Sequence, residues 1–205
     1  NSIFFPDFAM SASVEGSGGI EKAGSGSMLL YSSNSYSGVT IVSDGLLGVF
    51  NSYGLGSTSG GTTVNSGGAL VVNNDSHVPA EPLTLSGADF SPYGALDSFT
   101  GTNSWAGDIT LAADTRIRVM DAADSLELSG QIGGVGGLTL SGGGHLILSG
   151  STANKYSGTT YVNSGTLRLR KTIGNGAIPG SLIIGDGLGG AEADIVRVEL
   201  ENQID

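Results

Sequence analysis

Cysteine is absent from the 205 residues. That excludes a disulfide framework and any thiolate metal site. Charge is sparse: 13% of residues are Asp, Glu, Lys or Arg, and only 8 of them are basic. A net charge of −11 disfavours nucleic acid, whose phosphates need a basic surface, and disfavours anionic membranes. No apolar run approaches the roughly 20 residues of a membrane-spanning helix. The opening Asn1-Ser2-Ile3-Phe4-Phe5-Pro6 has neither the basic region nor the apolar run of a signal peptide. Helical periodicity is also missing: glycine interrupts every window in which apolar residues could recur at steps of three and four.

What the chain has instead is glycine, 36 residues of it, with 39% hydrophobic residues in regular clusters. The clusters argue against disorder and place the glycines in tight turns. Short apolar or alternating runs recur: Ser27–Leu30, Val39–Val42, Thr62–Val64, Ala69–Val72, Asp108–Leu111, Arg116–Val119, Leu126–Leu128, Thr166–Arg170 and Ile195–Leu200. Alternation means one buried and one wet face. It turns Arg116, Arg118, Arg168, Arg170 and Arg197 outward. Ser43-Asp44-Gly45, Asn65-Ser66-Gly67 and Asn163-Ser164-Gly165 carry turn chemistry between such runs. Because the flanking strands recur in one order at even spacing, these are read as corners between sheets of a coil rather than as hairpins. Asn stacked on Asn along the axis is the expected support for them.

The chain repeats itself. Residues 10–50 match 128–170 at a shift of 118, which becomes 120 after the insertion Thr152-Ala153. Gly18 falls on Gly136, Leu30 on Leu148, Tyr36-Ser37-Gly38 on Tyr156-Ser157-Gly158 and Gly45 on Gly165. The whole chain, 1–205, is about one and two-thirds copies of a unit of about 119 residues, read as one segment. Both ends lie within the pattern, so a piece of a longer protein is expected. Short strands, glycine corners and a long repeat together predict an all-β parallel solenoid, each coil burying its inward residues against its neighbours.

Three stretches stand apart. Residues 73–107 are expected as a loop-rich insertion, because Pro79, Pro82 and Pro92 break the pattern. The alternative for 86–107 is an ordinary coil with a bulged corner. Its Phe90, Tyr93, Phe99 and Trp105 could form an aromatic platform for a glycan or a host protein. Asp108, Asp114, Asp121 and Asp124 lie near Arg116 and Arg118, as in a polysaccharide-cleaving groove, but are spread over several turns. Solvated corners are the simpler reading. Gly185–Gly190 with Asp186, Glu192 and Asp194 faintly resembles a calcium-binding glycine-rich nonapeptide, without tandem repetition. No other cofactor or metal is expected. His77 reads as a structural loop residue. His145 occupies the place of Ser27 in the earlier copy, so the scaffold does not need it. Phe4 and Phe5 belong to an earlier coil or cover the N-terminal end of the core. A bare solenoid end would otherwise favour weak end-to-end self-association.

The second copy is similar to the passenger-associated transport repeat, also called the autotransporter-associated β-strand repeat. It carries Gly136-Gly137-Leu138-Thr139, then Gly142, Gly144, Leu146 and Leu148-Ser149-Gly150. Asn154, Tyr156, Gly158, Thr160, Val162, Gly165 and Leu167 follow. The first copy departs at Glu21, Tyr31-Ser32 and Leu46. The resemblance implies a right-handed parallel β-helix in a secreted or outer-membrane-tethered bacterial surface protein. It also implies a stalk that supports export and adhesion, with adjoining coils of the same parent chain as partners. It implies no catalytic residue.

Overall fold

A computed structural model describes residues 7–87, 92–173, 176–189 and 193–205. It contains 21 short strands and no helix among the described residues. They form three parallel sheets that wrap one core. The first sheet has nine strands: β1 (Phe8–Met10), β3 (Ser27–Leu30), β5 (Gly45–Val49), β7 (Gly68–Val72), β10 (Leu96–Ser98), β13 (Thr115–Val119), β16 (Leu138–Ser141), β18 (Thr160–Val162) and β20 (Leu182–Ile184). The second has six: β2 (Ile20–Lys22), β4 (Thr40–Val42), β6 (Thr62–Val64), β9 (Leu83–Ser86), β12 (Ile109–Ala113) and β15 (Ile132–Gly134). The third has six: β8 (His77–Val78), β11 (Thr102–Trp105), β14 (Ser125–Leu128), β17 (His145–Leu148), β19 (Gly165–Leu169) and β21 (Asp194–Val198).

The nine-stranded sheet makes about eight turns of a solenoid. Its inner column runs Met28, Leu47, Leu70, Leu96, Ile117, Leu140, Val162, Ile184, so one coil takes 19 to 26 residues. Parallel strands fit this sequence because the inward positions are aliphatic and stack like on like. Leu47, Leu70, Leu96, Ile117 and Leu140 are fully buried in one continuous core. Each such side chain contributes about 1.5–3 kcal/mol through burial. Asn65-Ser66-Gly67 is a corner, as expected: β6 lies in the second sheet and β7 in the first.

The repeat shift has a geometric meaning that the sequence conceals. Five coil steps carry Met28 to Leu140, yet the residue matching Met28 is Leu146, on the next face. One repeat is therefore five coils plus one side of the triangle. The first copy lies on the second and first sheets (β2 to β5), and the second copy lies on the first and third (β16 to β19).

The stretch 73–107 departs from the insertion expected of it. It supplies β8, β9, β10 and β11, at least one strand to every sheet. Its prolines sit at the corners before β9 and β10. The coil from Leu70 to Leu96 takes 26 residues, the longest step of the column. Residues 88–91, including Phe90, lie outside the described residues, as do Phe4 and Phe5.

Candidate functional site: the repeated coil pair

Each copy of the repeat lays the same inter-coil contacts at the same places. Asn34 and Asn154 are buried in the stretches that join β3 to β4 and β17 to β18. Asn154 Oδ1 accepts from Ile132 N–H at 2.9 Å in the preceding coil, and its Nδ2 donates to Ala177 O at 2.8 Å in the following one. Asn34 does likewise, accepting from Val14 N–H at 2.8 Å and donating to Gly54 O at 2.5 Å. One side chain thus ties three coils. The asparagines bond to backbone above and below rather than to one another.

Two residues on, Tyr36 and Tyr156 are buried. Their hydroxyls meet Thr40 Oγ1 and Thr160 Oγ1, both at 2.6 Å. The bond closes the corner within one coil; it does not reach the neighbouring coil. Burial pushes both phenols up to about 12, so the proton stays on. Gly38 and Gly158 follow. A Cβ on Gly158 would stand 2.5 Å from Gly136 C and from Gly137 Cα, and one on Gly38 would stand 2.5 Å from Gly18 C. The Gly-Gly opening of each copy is thereby the floor on which the later glycine rests. Gly45 and Gly165 need positive φ, 72° and 83°, and a Cβ on Gly165 would stand 2.6 Å from Gly142 O.

The outer faces of the two copies differ. The outward residues of the first copy, Leu29 and Leu46, are buried beneath Phe99, with Phe50, Tyr93 and Met120 packed alongside. Arg118 lies over this cover, 4.9 Å from the Tyr93 ring and 5.2 Å from the Phe99 ring. It pairs with Asp97 at 2.6 Å. Burial pushes the Asp97 carboxyl up to about 6, opposed by Arg118. In the second copy the matching positions hold His145, Ile147, Thr166, Arg168 and Arg170. Arg170 pairs with Glu127 at 3.0 Å and Arg168 with Glu199 at 2.5 Å.

Of the residues expected in an aromatic platform, Trp105 and Phe99 lie buried. Trp105 is fully buried, its Nε1 donating to Glu81 O at 2.8 Å, and Phe99 is 5% exposed and stacked on Tyr93. Tyr93 is half-buried. Phe90 lies outside the described residues. The acidic run caps corners: Asp108 accepts from Gln131 N–H, Asp114 from Gly137 N–H, and Asp124 from Gly101 N–H, each in an adjoining coil. They stand at three successive corners of one coil, before β12, between β12 and β13, and between β13 and β14, which is the reason they do not converge. Among the described residues no group of three or more His, Asp or Glu could hold a metal ion. Asp186 accepts from Leu188 N–H in its own turn at 2.8 Å, and Glu192 lies outside the described residues. His77 Nδ1 bonds Ser104 Oγ at 3.0 Å on the third sheet. The buried Glu81, which accepts from Thr62 Oγ1 at 2.5 Å, was not singled out from the sequence, nor was the Asp97–Arg118 pair.

Comparison with known proteins places these contacts. The passenger-associated-transport-repeat model matches residues 20–49 and 138–169, the two coil pairs just described. The chain is 38% identical over 148 residues to an adhesin, BmaC autotransporter, of Brucella suis biovar 1 (strain 1330). That match covers 71% of this chain and 4% of the curated relative. No solved structure matches significantly.

Proposed function

Since the chain is an autotransporter passenger repeat segment, we propose that it is a length of stalk: a stiff β-solenoid that holds adhesive parts of a longer surface protein away from the cell and helps that protein through export. The observation that carries this reading is the duplicated Asn–Tyr–Gly apparatus. It adds no exposed chemistry. In each copy its asparagine bonds one coil to the coils before and after it, as a rod needs and as a chain folding coil by coil would use. In a quasi-one-dimensional fold the interface between neighbouring coils supplies much of the stability, so every folded coil templates the next. The relative bears the name adhesin, and we read this chain as a non-enzymatic part of such a protein, displayed outside the outer membrane.

The test places this chain as passenger between a signal sequence and a translocating β-barrel. Surface display is measured by protease shaving and antibody labelling of intact cells. The expected result is efficient display of the native chain and a several-fold loss for the double variant Asn34→Ala, Asn154→Ala, with equal expression. Equal display of both would sink the export reading.

A further inference from the structure

We propose that the outer face of the second copy is a binding site for an acidic saccharide, centred on Arg197, Arg168 and His145. The site goes beyond the stalk reading and does not depend on it. It begins with register. Arg168 of β19 and Arg197 of β21 are directly paired neighbours on the outer face of the third sheet. Adjacent parallel strands stand about 4.8 Å apart. Like charges set side by side in a sheet are destabilising. One of the two is answered: Arg168 Nε donates to Glu199 Oε1 at 2.5 Å. Arg197 is exposed and makes no hydrogen bond or ion pair among the described residues. In a protein of net charge −11 with 8 basic residues, two guanidinium groups answered by one carboxylate are a local reversal of sign.

The pair faces space. Arg168, Arg197, Glu199 and His145 line a cavity of about 320 Å³. A neighbouring cavity of about 340 Å³ shares His145 and Arg197 and exists because Ala122, Gly143, Gly165 and Ala193 are small. The volumes reach the lower end of the range for small-ligand sites. His145 Nδ1 is shielded from solvent without a hydrogen-bond partner among the described residues. The first copy shows that none of this is required by the coil. Its matching positions are Ser27 for His145 and Gly48 for Arg168. The inward twins keep their aliphatic character, Leu30 with Leu148 and Leu47 with Leu167, all buried. The repeat therefore fixes the inside and leaves the outside free to carry chemistry.

Carboxylate and sulfate groups match a guanidinium fork. Glu199 and the imidazole are suited to sugar hydroxyls. The first cavity offers a partner protein no aromatic or aliphatic anchor of the kind that dominates protein interfaces. A monosaccharide unit bearing one anionic group fits both the size and the charge.

The test is calorimetric titration of the intact chain with a heparin hexasaccharide, an oligogalacturonate, maltohexaose and sodium sulfate. Binding of at least one acidic oligosaccharide, with none of maltohexaose, is expected. Preference for heparin assigns the anion as sulfate; preference for oligogalacturonate assigns it as carboxylate. Arg197→Ala should weaken binding tenfold or more. His145→Ser, which installs the residue of the first copy, should weaken it with the fold intact by circular dichroism. Lys155→Ala, an exposed cation elsewhere, should change nothing. Acidic and neutral sugars binding alike, full affinity in Arg197→Ala, or free sulfate binding as tightly as the hexasaccharide would each overturn the site. Display on cells is measured separately, so the stalk reading and this one fail independently.

Discussion

Gly158→Ala is the sharpest perturbation of the stacked repeat. The added methyl would stand 2.5 Å from Gly136 C and Gly137 Cα, and Gly137 N is also in its way. All three are backbone atoms, so no side chain can rotate aside. Ordinary contact begins near 3.4 Å, so the two coils must part by about 1 Å against a spacing of about 4.8 Å. Two hydrogen bonds cross that seam: Gly158 N–H to Gly136 O at 3.3 Å and Leu138 N–H to Thr159 O at 3.0 Å. Lengthened so far, both cease to be bonds. Each is worth about 1 kcal/mol net. Overpacking strain adds about 1–3 kcal/mol. The expected loss is about 3–5 kcal/mol. At a urea dependence of about 2 kcal/mol per molar, the midpoint falls by about 1.5–2.5 M. The control is Gly133→Ala, where a Cβ meets nothing within 4 Å and φ is not left-handed. Its change should stay within about 0.5 kcal/mol. Amide exchange locates the damage, which should be greatest at Leu138 and Gly158, whose N–H groups cross the seam. If Gly158→Ala were no more harmful than Gly133→Ala, glycine stacking would not be what holds these coils at their spacing.

Three further outcomes are expected. Burial pushes the Glu81 carboxyl up to about 7 from 4.5, so the folded state holds its proton longer than the unfolded chain. That contribution is full below about pH 4.5 and is lost as pH rises through 7. It amounts to about 3 kcal/mol. Glu81→Gln should flatten the pH dependence of the thermal midpoint across that window and raise the midpoint at pH 8. Asn154→Ala leaves Ile132 N–H and Ala177 O without their partner, and should cost about 2–4 kcal/mol by urea unfolding. Trp105→Ala removes a fully buried ring and the bond to Glu81 O. It should cost about 3–5 kcal/mol, read as a lowered urea midpoint.

The sequence foretold the parts governed by local repetition. Inward alternation predicted β12, β13, β14 and β19, and Asn or Asp before Gly predicted the corners. The arginines do project from the outer faces, because period two fixes the side a residue takes whatever covers it. What was hidden depends on distance in space. The acid and base of Asp97–Arg118 lie on neighbouring coils. The covering of the first copy's outer face comes from Tyr93 and Phe99, more than forty residues away in the chain. Trp105 reads as a surface aromatic because it follows a proline-rich stretch, yet its period-two position on β11 points inward. The one-face turn of the repeat was hidden because corner angles leave no trace in a shift of 118.

The central claim is that the repeat's coil-to-coil bonds make a stalk that folds outward as it is exported. The most direct measurement is surface display of this chain in an autotransporter carrier, with Gly158→Ala compared with Gly133→Ala in the same cells. The account predicts native display for Gly133→Ala. For Gly158→Ala it predicts a several-fold loss, with the chain beside the damaged seam left protease-sensitive. Equal display and equal protease resistance, with Gly158→Ala shown to be destabilised in the purified chain, would contradict it.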